Sequence, residues 1–165
     1  MATESEQLSL ADRLESFKAG LLGAIASVFA FFAIAMLHHI LQNMLVNAPV
    51  QLISSFELGD RLILLIKLVM VGFSGFLFAV TYRYIMRHDR NSHLKSGAVL
   101  AFALIRSFGS IERDLPTLTL LPLTKMILAI AVLVIENIAW LAIVQSILET
   151  AIQHKWIVAF GSAKE

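Results

Sequence analysis

The sequence predicts an all-α integral membrane bundle of four spans, and three observations predict it. The chain has 165 residues, 58% of them apolar and only 15% charged. A soluble domain is usually nearer half apolar, with about a quarter of its residues charged. The apolar residues are also gathered into long runs that a soluble core does not need, and such runs cross bilayers as helices. The length suits one compact bundle and leaves no room for a second domain.

Composition also excludes some chemistry. A net charge of +1 gives no reason to expect nucleic acid as a partner. The absence of cysteine rules out disulfides, thiolate catalysis, cysteine-ligated zinc and ordinary iron–sulfur clusters.

Residues 1–18 read as a polar N-terminal arm, 19–156 as one transmembrane helical domain and 157–165 as a short tail. The arm lacks the basic opening of a secretory signal. Arg13 and Lys18 followed by an apolar run and "AIA" at 33–35 mimic a cleavable signal, but the run continues through Met36 and Leu37. An uncleaved first span is therefore expected. Within the arm, "LADRLESF" sets Leu10, Leu14 and Phe17 at helical spacing. It is either a helix lying on the membrane surface or a lead-in to the first span.

The first span is expected over about 19–41. Ala19, Gly23 and Ser27, then Ala26 and Ala30, recur along it at spacings that let another helix approach closely. It closes in "HHILQN". Residues 42–60 form a connector with Pro49, Ser54, Ser55, Gly59 and Asp60, whose middle suits the interface. The second span covers about 62–82, with Gly72, Ser74 and Gly75 as packing positions. Tyr82 and Tyr84 fall where an aromatic belt is expected. "YRYIMRHDRNSHLK" follows, with Arg83, Arg87, Arg90 and Lys95. This most basic stretch faces the cytoplasm, or a chloroplast stroma, by the positive-inside rule, and the N-terminus lies on the same side.

The third apolar stretch, about 95–111, is marginal because it is short and contains Arg106. It either crosses, giving four spans, or lies on the surface, giving three. Pro116 and Pro122 mark the connection after it, since proline fits a helix interior poorly. The last span covers about 126–148, and Trp156 follows as an interfacial anchor. The distribution of positive charge satisfies both the three-span and the four-span arrangement.

Depth favours four. At about 1.5 Å per residue, Arg106 lies roughly 16 Å from an entry at Lys95, and Glu136 roughly 16 Å from an opposite entry near Lys125. Both reach the middle of a hydrocarbon core about 30 Å thick. Each charge alone costs roughly 2.5–3.5 kcal/mol or more there. Arg106 and Glu136 are therefore expected to form an intramembrane pair across neighbouring helices. Lys67 and Asn137 are the other intramembrane polar residues; Lys67 either snorkels outward or reaches toward Asn137 or Glu136.

An ionisable residue inside a span is a functional candidate. Glu136 reads either as a packing lock or as a proton- or cation-handling group. His38 and His39 each have an amide four residues on, Gln42 and Asn43 respectively. They are candidate haem or chlorophyll ligands, with interfacial polar residues as the plainer reading. His88 and His93 lie in the basic loop, and no metal site is expected from them. Nucleotide-binding glycine loops, "HExxH", "GxSxG" and paired diphosphate-binding aspartates are absent, so no enzyme and no resident cofactor are expected. No internal repeat suggests an inverted-repeat transporter. The basic loop fixes topology, binds anionic lipid headgroups or docks a partner.

One block resembles a known family. "FAVTYRYIMRHDRNSHLKSGAVLAFALIRSFG", residues 78–109, is similar to the central block of a family of small multi-pass membrane proteins of cyanobacteria and chloroplasts. The similar block covers about a fifth of the chain, and Arg83, Lys95 and Arg106 carry its pattern. The resemblance implies a thylakoid or cyanobacterial plasma-membrane location and an accessory or assembly role around photosynthetic complexes. The functional expectation is thus a non-catalytic membrane protein that acts as an accessory or assembly factor, packing against subunits of a larger complex, with a homo-oligomer as a further partner to consider. The alternative is a small ion, proton or solute transporter component using Glu136. A third class is a membrane enzyme or pigment-binding protein using His38 or His39.

Overall fold

Among the described residues there are four helices: α1 (Leu10–Met44), α2 (Arg61–Ile85), α3 (Ser92–Leu118) and α4 (Leu123–Gln153). The structure is a computed structural model and describes residues 10–44, 61–86 and 92–157. The connector at 45–60, with its expected interfacial segment, and Arg87, His88 and Arg90 lie outside the described residues. At 1.5 Å per residue even α2, the shortest helix, is about 37 Å long, more than a hydrocarbon core about 30 Å thick. Each helix is long and apolar enough to cross a membrane, the least apolar being α3. The four-span architecture is the one found, and the protein is an integral membrane protein. Large apolar side chains such as Ile25, Phe29, Val69, Ile105 and Ile135 point away from the bundle, into the bilayer.

Two boundaries differ from the sequence expectation. The arm segment from Leu10 is continuous with α1, so it is a lead-in to the span rather than a separate surface helix. Pro116 lies inside α3 rather than in a loop. Its missing N–H removes only one bond close to the helix end, where α3 stops two residues later. Pro122 stands as the N-cap of α4, a position that tolerates the lost donor.

The C-terminus of α4 is closed by a Schellman motif. Trp156 N–H donates to the Ala151 carbonyl at 2.9 Å and Lys155 N–H to that of Ile152 at 3.0 Å. Lys155 takes the left-handed conformation, with φ of 58°. Trp156 is left 71% exposed, as an interfacial anchor requires.

The helices form a ring in chain order. α1 packs against α2 and α4, α3 packs against α4, and α2 and α3 touch only lightly. The α1–α2 seam is the closest because its small residues face each other. A methyl group added to Gly23 would overlap the Ala79 methyl and the Gly75 carbonyl oxygen, and one added to Gly75 would overlap Ser27. Such close backbone approach is how membrane helices gain packing energy without a hydrophobic driving force. The α2–α3 seam is held at one level by Phe78 and Phe102, whose rings meet edge to face at 5.4 Å. Toward the Arg61 end of α2 it opens into a cleft.

Candidate functional site

The centre of the bundle carries a polar tie that joins all four helices at one level. Trp140 on α4 is fully buried, and its indole N–H donates to the Ser27 carbonyl of α1 at 2.9 Å. The Ser27 hydroxyl, equally buried, donates to the Val71 carbonyl of α2 at 2.8 Å. The Gly23–Gly75 approach brings these backbones close enough for the second bond. From α3, the Arg106 guanidinium lies 4.5 Å from the Trp140 ring centroid. A cation over an indole face out of water gains about 2 kcal/mol or more, offsetting part of the cost of its depth.

One helical turn along α4 stands Glu136. Its Oε1 lies 2.6 Å from His38 Nδ1 on α1, and both side chains are largely buried, with 12% and 7% exposed. This corrects the expected Arg106–Glu136 lock: the carboxylate meets His38, and Arg106 meets Trp140. The shared depth of the two charges is retained, since Trp140 follows Glu136 by four residues. His38 is buried within the bundle. α1 runs on to Met44, so His38 lies six residues, or about 9 Å, inside the helix end. Gln42 Nε2 contacts His38 Nε2 at 2.8 Å. With Gln42 donating there, the ring proton is assigned to Nδ1, facing the carboxylate. Both imidazole nitrogens are engaged, so ligation of a haem or chlorophyll metal would require giving up one of these contacts. His39 is exposed and meets Asn43 at 3.3 Å. Asn137 is fully buried. Its Nδ2 donates to the Leu133 carbonyl at 2.8 Å, and its Oδ1 has no hydrogen-bond partner among the described residues.

The cleft in the α2–α3 seam has a volume of about 310 Å³. Lys67, half-buried on α2, lines it together with Arg106 and Arg113 on α3. Phe31 of α1 also contributes to its lining. Lys67 therefore shares this cleft with the two arginines. Arg113 also makes two hydrogen bonds of 2.9 Å to the Asp114 carboxylate.

At the opposite end of the bundle, the residues grouped as a basic interaction loop separate. Arg83 is 1% exposed and sits in the last turn of α2. Its guanidinium donates to the Asp12 carbonyl at 2.9 Å and to the Ser16 hydroxyl, with the Asp12 carboxylate 3.5 Å away. It ties α2 to the start of α1 and does not present a loop surface. Lys95, half-buried, reaches Glu149 of α4 at 3.4 Å. The same carboxylate accepts from the Tyr82 hydroxyl at 2.6 Å and from Gln145 at 3.1 Å. Tyr82 is consequently buried rather than part of an aromatic belt, while Tyr84 is exposed.

Among the described residues, no group of three or more His, Asp or Glu side chains is placed to hold a metal ion. Compared with protein-family models, with curated proteins and with solved structures, the chain matches none. Sequence reasoning missed Trp140 and the tie through Ser27. The available signal was an indole one turn from Glu136 inside an otherwise aliphatic span, since a buried indole N–H requires an acceptor.

Proposed function

We propose that the protein is a non-catalytic, rigid four-span module that serves as an accessory or assembly subunit of a larger membrane complex. The observation that carries this reading is the use made of its buried polar groups. Trp140, Ser27, His38, Glu136, Arg83, Tyr82 and Glu149 each join one helix to another. Polar contacts used this way fix a shape, and a fixed shape is what a packing subunit needs. The resemblance of residues 78–109 to small membrane proteins of cyanobacteria and chloroplasts supports a thylakoid or cyanobacterial plasma membrane and a photosynthetic complex. The charge of the stretch after α2 supports a cytoplasmic N-terminus.

The test is mild detergent extraction of a tagged chain, native gel separation and mass spectrometry of co-eluting proteins. Co-migration with subunits of a large complex is the expected result. Elution alone, or only as a homo-oligomer, overturns the reading.

A second reading has its own observation. A His–Glu contact of 2.6 Å buried inside a span is the kind of element that proton relays use. Glu136 would then handle protons or a cation in a small transport component. Flux into proteoliposomes that is lost with Glu136→Gln supports this reading, and flux unchanged by that substitution removes it.

A further inference from the structure

We propose that the cleft between α2 and α3 is a water-filled inlet that opens at the Arg61 end of α2 and stops at the centre of the membrane. This goes beyond the accessory reading and does not depend on it. Two helix faces shape the inlet. Lys67, Met70 and Val71 line it from α2, and Arg106, Gly109 and Arg113 from α3. These spacings put each set on one face of its helix. Arg106 and Arg113 are seven residues apart, so the α3 wall spans about 10 Å of depth. The floor is the central tie: the Val71 carbonyl accepts from Ser27, and the Arg106 guanidinium stands over Trp140. Beyond that level the Phe78–Phe102 contact closes the α2–α3 seam.

The lining is unsuited to lipid tails and suited to water. Three cationic side chains and the Ser110 hydroxyl lie along one space, and hydrocarbon filling it would press against charge. Charged side chains within a span almost always face the bundle interior or a water-filled cavity. Hydration adds to a cation's other contacts and does not require their absence. The Trp140 contact offsets part of the cost of Arg106's depth, and water reaching it from one face offsets more. A volume of about 310 Å³ is many times the roughly 30 Å³ that one water occupies in the liquid, so the inlet holds several waters. Gly109 contributes no side chain to close it, and even a methyl group added there would meet nothing within 4 Å.

The test uses the full-length protein in sealed lipid vesicles, and two natural methionines are the first probes. Met70 lines the inlet and Met36 of α1 lies outside it, yet they are similarly exposed, at 64% and 68%. Each stands about 12–14 Å from its helix end on the same side of the membrane. Hydroxyl radicals generated from water convert a methionine that water touches to its sulfoxide. Met70 should be oxidised severalfold faster than Met36, a comparison made on the unaltered chain. Gly109→Cys and Phe108→Cys form a second pair, adjacent in sequence, the first in the inlet and the second exposed outside it. A charged, water-soluble thiol reagent added at the Arg61 side should modify Gly109→Cys about tenfold faster, because apolar surroundings suppress the thiolate that reacts. Added at the other side, it should reach neither. Equal oxidation of Met70 and Met36, or equal labelling of the two cysteine variants, overturns the inlet and gives the cleft to lipid tails. Labelling of Gly109→Cys at the same rate from both sides overturns the closed floor and with it the proposal.

Discussion

Arg83 shows how one residue's depth decides its role. It sits in the last turn of α2, beside the most basic stretch of the chain, yet it is buried against Asp12 and Ser16. Removing one partner of a buried charged contact leaves the other's polar groups without compensation. Arg83→Met should therefore lower stability by roughly 2–4 kcal/mol, read as a lower unfolding midpoint in detergent. A change below about 0.5 kcal/mol, the range of ordinary surface substitutions, would contradict the burial. The sequence shows that Arg83 is one of a group of cations near a helix end. It does not show which of them turns back, because that depends on the helix ending at Ile85. His38 escaped for a similar reason. Hydropathy ends the first span near 41, while the backbone continues to Met44, which puts the imidazole deeper than its place in "HHILQN" suggests.

At the scale of elements, the spans and their small-residue faces were legible. Runs of apolar residues can only be helices or barrel strands in lipid, and their length favours helices. Gly23, Ser27 and Gly75 read as packing positions and are the ones that meet. Gly23→Val should force α1 and α2 apart and lower the unfolding free energy by about 1–3 kcal/mol, the usual cost of overpacking. Gly97→Ala is the control: a methyl there meets nothing within 4 Å and should be neutral or stabilising by up to about 1 kcal/mol, the propensity gap between the two residues. If both glycines respond alike, the close α1–α2 approach is wrong. What the elements did not reveal was which helix Glu136 would face. Matching depth and a short α3–α4 connection pointed to Arg106. Ring closure, which brings α1 beside α4, supplied His38 instead. Sequence separation gives no hint of that contact, since the partners are 98 positions apart.

For the whole molecule, the claim with the widest consequence is that α3 crosses. The chain has no cysteine, so single cysteines can be introduced on a silent background. His93→Cys and Thr119→Cys, at the two ends of α3 and both exposed, should react with an impermeant maleimide from opposite sides of sealed vesicles. Labelling from one side would return the third stretch to the surface and leave Arg106 far from Trp140.

The most direct measurement is a double-mutant cycle on the central contact between α1 and α4. His38→Leu, Glu136→Leu and the double variant are purified in one detergent and their unfolding free energies compared. A buried tie predicts that each single change is destabilising and that the double variant loses less than the sum, with a coupling of about 0.5–3 kcal/mol. Additive losses, or single changes without effect on stability, would contradict the claim that His38 and Glu136 hold the bundle together.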